Sequence, residues 1–202
     1  MANYLVSLGI KRGDRVITVL RNSVEFYLLK IALAKMGAIM MPTHFQTKVE
    51  GFNYRINKAE VNAFISLDYK SGNIDVLKTI DEANVTSDMV KICVNGEKDG
   101  WHNFEVGIKG MSKKFSPIEN KISDPMVIFS TSGTTGEPKL VVHDYGVPLS
   151  TITTGNKWYG VDENSIHYTI ADSGWAMSSW SLTAIWMNNG CIFMNDYDRF
   201  NG

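Results

Sequence analysis

The chain has 202 residues, 44% of them hydrophobic and 20% charged, which is enough apolar content to bury a core. Lys and Arg number 20 against 21 Asp and Glu, a formal net charge of −1 with no long basic run. That balance argues against a nucleic-acid-binding protein, whose phosphate contacts need a concentrated basic face.

No apolar run is long enough for a membrane span, and the N-terminus lacks a basic-then-apolar leader. The two cysteines, Cys93 and Cys191, lie far apart in apolar segments and read as buried free thiols of a reducing compartment. Together these features point to the cytoplasm.

In chain order, "MANYLVSLGIKRGD" reads as the tail of a helix, a stop near Gly9 and a turn. "RVITVL" (15–20) is a β-branched run suited to a buried strand. "NSVEFYLLKIALAKMG" then predicts a helix with Asn22 and Glu25 as a capping box and Gly37 as the stop. "AIMMP" is a second strand. Strand, helix and strand at this spacing make a βαβ unit, hence a parallel sheet.

The alternation continues. "TKVEGFNYRINKA" predicts a helix opened by Thr47 and Glu50, "VNAFISL" a strand, "NIDVLKTIDEA" a helix and "MVKICVNG" a strand. From Glu97 to Pro125 the sequence turns polar and weakly periodic and reads as a loop or linker, with "GMSKKFSP" its best candidate. "PMVIFS" and "KLVVHDY" are strands, Tyr145 to Asn156 has a weaker helical pattern, and "SIHYTIA" alternates like a strand. "GWAMSSWSLTAIWMNNG" suits a helix and "CIFMND" a final strand. The expected fold class is α/β, built of repeated βα units on a mainly parallel sheet.

Between two of those strands stands "STSGTTGEPK" (130–139). It is not a Walker A loop, because Pro138 occupies the place of the second glycine, has no amide hydrogen to give, and Leu140 replaces the magnesium-binding hydroxyl. The Rossmann pattern fails too, since Gly133 and Gly136 are alone. Small residues, hydroxyls and a lysine still suit an anion, as they equally suit a hairpin turn that satisfies its own backbone. Composition leaves both readings open.

Resemblance narrows the choice. Thr131 to Lys139 is similar at every fixed position to the signature T-S-G-[ST]-T-G-x-P-K of the adenylate-forming (ANL) superfamily of AMP-dependent synthetases and ligases; Ser130 departs from the aromatic residue usual just before it. The stretch from Leu8 to Pro42, with its K-x-G-A-x-x-x-P pattern, resembles the family's N-terminal segment. Within the family, "MPTHFQTKVEGFNYRIN" and "ADSGWAMSSWSLTAIWMNNGCIFM" resemble medium-chain acyl-CoA synthetases and their acetyl-CoA synthetase relatives.

The resemblance implies a two-step reaction: a carboxylate attacks the α-phosphate of ATP, and the thiol of coenzyme A then displaces AMP. It implies that Thr131, Ser132, Gly133, Thr134, Thr135, Gly136 and Lys139 hold the β- and γ-phosphates, with Lys139 and Thr131 as catalytic candidates and the Thr131 hydroxyl near Mg²⁺. Trp175, in "ADSGW", would line the acyl pocket or its entrance, with core packing the competing reading; Asp172 and Gly174 are expected to shape that turn. Met177, Trp180 and Trp186 have helical spacing and read as core, and His143 as structural. His44, His102 and His167 have no ligand spacing, so no structural metal is expected.

The expected organisation is a βα-repeat subdomain over 1–125, then the phosphate-loop segment and the start of the acyl-site region over 126–202, with the family's small C-terminal domain absent. The family's later Tyr-Gly-x-Thr-Glu and Thr-Gly-Asp segments do not occur, and both ends read as cut. The expectation is therefore a fragment of the large N-terminal domain of an acyl-CoA synthetase-like enzyme, inactive alone. A non-catalytic anion-binding module and an adenylation domain serving a carrier protein are the alternatives. The acid's class and the oligomeric state are not legible.

Overall fold

The computed structural model describes residues 1–131 and 138–196. A short helix α1 (Ala2–Ser7) leads into β1 (Arg15–Val19), followed by α2 (Val24–Met36), β2 (Ile39–Pro42), α3 (Val49–Ala59) and β3 (Ala63–Leu67). A small hairpin, β4 (Lys70–Ser71) with β5 (Ile74–Asp75), precedes α4 (Val76–Asp81), β6 (Val90–Val94), β7 (His102–Asn103) and α5 (Phe104–Ile108). Then come β8 (Pro125–Thr131), β9 (Lys139–Asp144), α6 (Val147–Thr153) and a π-helical stretch (Thr154–Trp158). The last elements are β10 (Ile166–Tyr168), α7 (Ala176–Trp186) and β11 (Cys191–Phe193).

The main sheet has the order β7-β6-β3-β1-β2-β8-β9, parallel throughout except for the antiparallel β8–β9 pair. Val16 pairs with Met40 on one side and Ala63 on the other, so β1 is central. A parallel strand covered on both faces is apolar on both, and Val16, Ile17 and Val19 are all fully buried. Val16 joins Leu29, Leu33 and Met36 of α2 on one face. Ile17 and Val19 join Phe52 and Ile56 of α3 and Leu77 and Ile80 of α4 on the other. A second, two-stranded parallel sheet, β10–β11, is joined through α7.

The α/β class and the mainly parallel sheet agree with the sequence reading, and the departures are local. The N-cap of α2 is Ser23, not Asn22, and its side chain makes no cap bond; the Asn22 amide instead donates to the Ala171 carbonyl at 2.8 Å. Gly37 does close this helix, at φ 69 in the left-handed region. Lys48 takes the N-cap of α3 in place of Thr47, whose amide is already used in a turn to the His44 carbonyl. Helix α4 starts late because Ile74–Asp75 pairs with Lys70–Ser71 and Asp75 then caps the helix, accepting from the Lys78 amide at 3.0 Å.

The stretch expected as loop from Glu97 to Pro125 holds β7 and α5, with the Asn103 side chain capping α5 through the Val106 amide at 2.8 Å. Cys93 is buried, and burial followed by the Asp68 and Glu105 carboxylates pushes its thiol up to about 11. Cys191 is exposed, contrary to the expectation of burial, because it opens a strand of the small sheet. No helix among the described residues is long and apolar enough to cross a membrane.

Candidate nucleotide and acyl site

Strand β8 runs parallel to β2, so its carboxyl end lies at the same rim of the sheet as the carboxyl ends of β1 and β2. Ligands of open parallel sheets bind at that rim. There the β8–β9 ladder ends with Thr131 opposite Lys139. Of the candidate phosphate loop, these two residues are described and both are exposed; Ser132, Gly133, Thr134, Thr135 and Gly136 lie outside the described residues.

The hairpin fixes where that loop leaves and rejoins the sheet. The Thr131 hydroxyl makes a long 3.5 Å contact to the Lys139 carbonyl. From α3, the Tyr54 hydroxyl donates to the Pro138 carbonyl and ties the returning chain to the α3 side of the sheet. Lys139 begins a strand, whereas a Walker lysine begins a helix, in keeping with the exclusion drawn from Pro138.

The second component is the "ADSGW" turn. The Ser173 hydroxyl donates to the Leu20 carbonyl just beyond β1, and Asn22 holds the Ala171 carbonyl. Gly174 passes so close to the end of β2 that a Cβ there would sit 2.4 Å from the His44 nitrogen and 2.7 Å from the Thr43 carbonyl carbon. No side chain fits between two backbones at that distance. Asp172 accepts from the Gly174 amide at 2.8 Å, which sets the turn as expected.

Above these strand ends lies a cavity of about 240 Å³ with Arg21, Asn22, His44, Phe45, Tyr168 and Asp172 among its walls. Arg21 pairs with Asp196 at 2.5 Å and lies 5.4 Å from the centre of the Tyr69 ring. His44 Nδ1 accepts from the Gln46 amide at 3.1 Å, so the neutral ring carries its proton on Nε2, 3.9 Å from Asp172. Burial raises the Asp172 carboxyl above its ordinary value, opposed by the Gly174 amide and then by His44 and Arg21. Its walls mix charged and amide groups (Arg21, Asn22, His44, Asp172) with the Phe45 and Tyr168 rings, a lining that suits a small polar ligand.

Trp175 is the N-cap residue of α7 and 63% exposed; it adjoins the Asp172 turn, but the described walls of the cavity include Asp172 and not Trp175. Met177, Trp180 and Trp186, expected in the core, are exposed. Helix α7 distributes large apolar and hydroxyl residues around its axis and buries Ser178, Ser179 and Ser181 with Leu182 and Ile185, so apolar spacing did not mark its inward face. Trp180 still packs edge-on against Phe129 of β8 and His143 of β9, at centroid distances of 6.2 and 5.6 Å. This gives His143 the structural place expected of it and ties α7 to the hairpin that carries the loop. Arg21, Asn22, His44 and Tyr54 were missed by sequence reasoning; their one signal is position, just after a predicted strand or on the helix beside it.

The family model for "AMP-binding enzyme" matches residues 1–201. The chain belongs to this AMP-binding enzyme family. It is 30% identical over 195 residues to human mitochondrial acyl-coenzyme A synthetase ACSM5, covering 95% of this chain and 33% of that protein. Human ACSM3, also named as mitochondrial, is 29% identical over 196 residues, covering 95% of this chain and 33% of its own. The chain thus spans about a third of the curated relatives it matches.

Among solved structures, acetoacetyl-CoA synthetase from Streptomyces lividans has the same fold, with a TM-score of 0.82 at 19% identity over 96% of this chain and 31% of that one. The anthranilate CoA ligase AuaEII in complex with anthranoyl-AMP aligns with a TM-score of 0.82 at 20% identity, over 95% of this chain and 37% of its own.

Proposed function

We infer that this chain is part of an ATP-dependent acid–thiol ligase that makes acyl-CoA through an acyl-adenylate. The observation that carries the reading is the Thr131–Lys139 hairpin end, placed at the strand-carboxyl rim in a chain of the AMP-binding enzyme family. The relatives named as acyl-coenzyme A synthetases support the ligase class.

In this reading residues 131–139 hold the β- and γ-phosphates of ATP. Attack of a carboxylate on a phosphate brings two anions together, so alignment and charge neutralisation carry the rate. The exposed Lys139, at the start of β9, would supply positive charge where pyrophosphate develops. The Thr131 hydroxyl is an oxygen donor at the loop's entrance, which fits the preference of Mg²⁺ for oxygen ligands. The ion, when bound, neutralises phosphate charge.

Trp175 would meet the acyl group, held in place by the pinned turn before it. The organisation we assign is a βα-repeat subdomain over 1–125, and a phosphate-loop and acyl-site segment over 126–202 that turns over only within the longer polypeptide. A free buried Cys93 agrees with a reducing interior compartment. Relatives named as mitochondrial make the mitochondrion as fitting a location as the expected cytoplasm.

The test is product analysis. The full-length polypeptide is given ATP, coenzyme A and a panel of fatty, aromatic and short acids. Formation of acyl-CoA with AMP and pyrophosphate is the expected outcome. AMP-free turnover, or no thioester with any acid, would remove the reading, and thioester formed only on a carrier protein would replace coenzyme A as acceptor.

A further inference from the structure

Lys30 lies within α2, on the side that meets α7, and only 7% of it is exposed. A helical lysine ordinarily runs its stem along the surface and keeps its amine in water. Here Nζ donates to both the carbonyl and the hydroxyl of Ser179, each at 2.5 Å. Both partners are neutral, so burial favours the uncharged amine and pushes its pKa down to about 7. An amine in that state still has two hydrogens, one for each Ser179 oxygen.

Burying a polar group costs stability that an apolar residue at the same place would not. What the lysine adds is direction. Two hydrogen bonds from one buried atom specify a single rotation of the partner helix, where apolar contact tolerates several. Ser179 lies one turn beyond Trp175 and next to Trp180. Three more hydrogen bonds join this stretch to the same β1–α2 segment: Ser173 to the Leu20 carbonyl, Asn22 to the Ala171 carbonyl and, at 3.4 Å, Ser178 to Asn22; Trp180 packs separately on the β8–β9 hairpin.

We propose that Lys30 is a positioning residue for the acyl site: by holding both Ser179 oxygens it fixes the rotation of α7, and so the direction in which Trp175 leaves the helix N-terminus. This rests on the acyl-site role assigned above to Trp175. Lys30 touches no substrate in this scheme.

The experiment uses the full-length polypeptide with Lys30→Met, which keeps the stem and removes the amine, Ser179→Ala, and the double variant. Two readouts are taken: KM for acid and for ATP in acid-dependent pyrophosphate exchange, and amide hydrogen exchange over residues 171–180. Lys30→Met is expected to raise the acid KM about tenfold, leave the ATP KM within about twofold, and speed exchange in that segment about tenfold. The double variant is expected to recover thermal stability without recovering the acid KM.

Unchanged acid KM and amide exchange in a folded Lys30→Met protein would overturn the assignment. So would an acid KM that returns together with stability in the double variant. If Lys30→Met does not fold, Ser179→Ala, expected to shift both readouts about threefold, decides in the same way. Absence of any pyrophosphate exchange in the wild type would remove the ligase reading, and amide exchange over 171–180 would then decide the positioning of α7 alone.

Discussion

Thr131 and Lys139 are partners in the last rung of the β8–β9 ladder, with the threonine hydroxyl 3.5 Å from the lysine carbonyl. The loop between them therefore begins and ends at one point of the sheet rim. That rim also carries Arg21 and His44, which follow β1 and β2, and the turn before α7 is bonded down onto it. The ATP-phosphate site and the acyl site that we propose would thus occupy neighbouring strand ends of one sheet.

The closest backbone approach in this arrangement is Gly174 over His44. A Cβ would stand 2.4 Å from a backbone nitrogen with no side-chain end to yield. Gly174→Ala is expected to destabilise the protein by roughly 2 kcal/mol or more and to raise the KM for the acid, because the turn must lift off β2. Thermal denaturation and acid titration check both effects; a variant of wild-type stability would show that the turn does not rest on β2.

Trp180 packs against Phe129 and His143, one residue from each strand of the loop-bearing hairpin. Trp180→Ala should cost about 1–3 kcal/mol and weaken ATP more than the acid, since the hairpin loses a wall of its support. Equal loss for both substrates would mean that Trp180 serves α7 and not the hairpin.

Tyr54→Phe removes one hydroxyl from the Pro138 carbonyl and little else. The expected cost is about 0.5–1.5 kcal/mol, read chiefly as a higher KM for ATP. A change confined to the acid would place Tyr54 outside the phosphate site.

The buried amine of Lys30 carries a sign that can be measured. Its pKa is lowered by burial from 10.5 to about 7, so between those values the unfolded chain holds a proton that the folded chain does not. Stability therefore rises with pH across that window, with a slope approaching about 1.4 kcal/mol per pH unit. Cys93, raised from 9.0 to about 11, and the raised Tyr4, Tyr27 and Tyr145 act oppositely at higher pH. The clean comparison is wild type against Lys30→Met between about pH 7 and 9, where the wild type alone should gain stability. Parallel curves would show that the amine remains charged or hydrated.

Much of this fold was legible because parallel strands buried on both faces, such as Val16 to Val19, leave unbroken β-branched runs. Gly37 marked its helix end, as left-handed backbone demands. The cap at Asn22 was misread because its amide is used by a tertiary partner, the Ala171 carbonyl, that no local pattern announces, and the one at Thr47 because that residue sits in a turn back to His44 before the helix begins. Strand β7 and helix α5 are too short for periodicity to register. In the proposed site, Thr131 and Lys139 are picked out by the signature alone, whereas no sequence pattern picks out Tyr54 or Lys30. Each acts through a contact 84 or 149 positions away, set by the crossing of elements rather than by spacing.

The central claim is that residues 131–139 hold the phosphates of ATP for attack by a carboxylic acid. The most direct measurement is acid-dependent exchange of labelled pyrophosphate into ATP by the full-length polypeptide, with Lys139→Ala beside the wild type. The account predicts exchange in the wild type and a loss of roughly a hundredfold or more in a normally folded Lys139→Ala protein, since a charge aimed at the departing pyrophosphate is removed. Exchange by Lys139→Ala at the wild-type rate would contradict it.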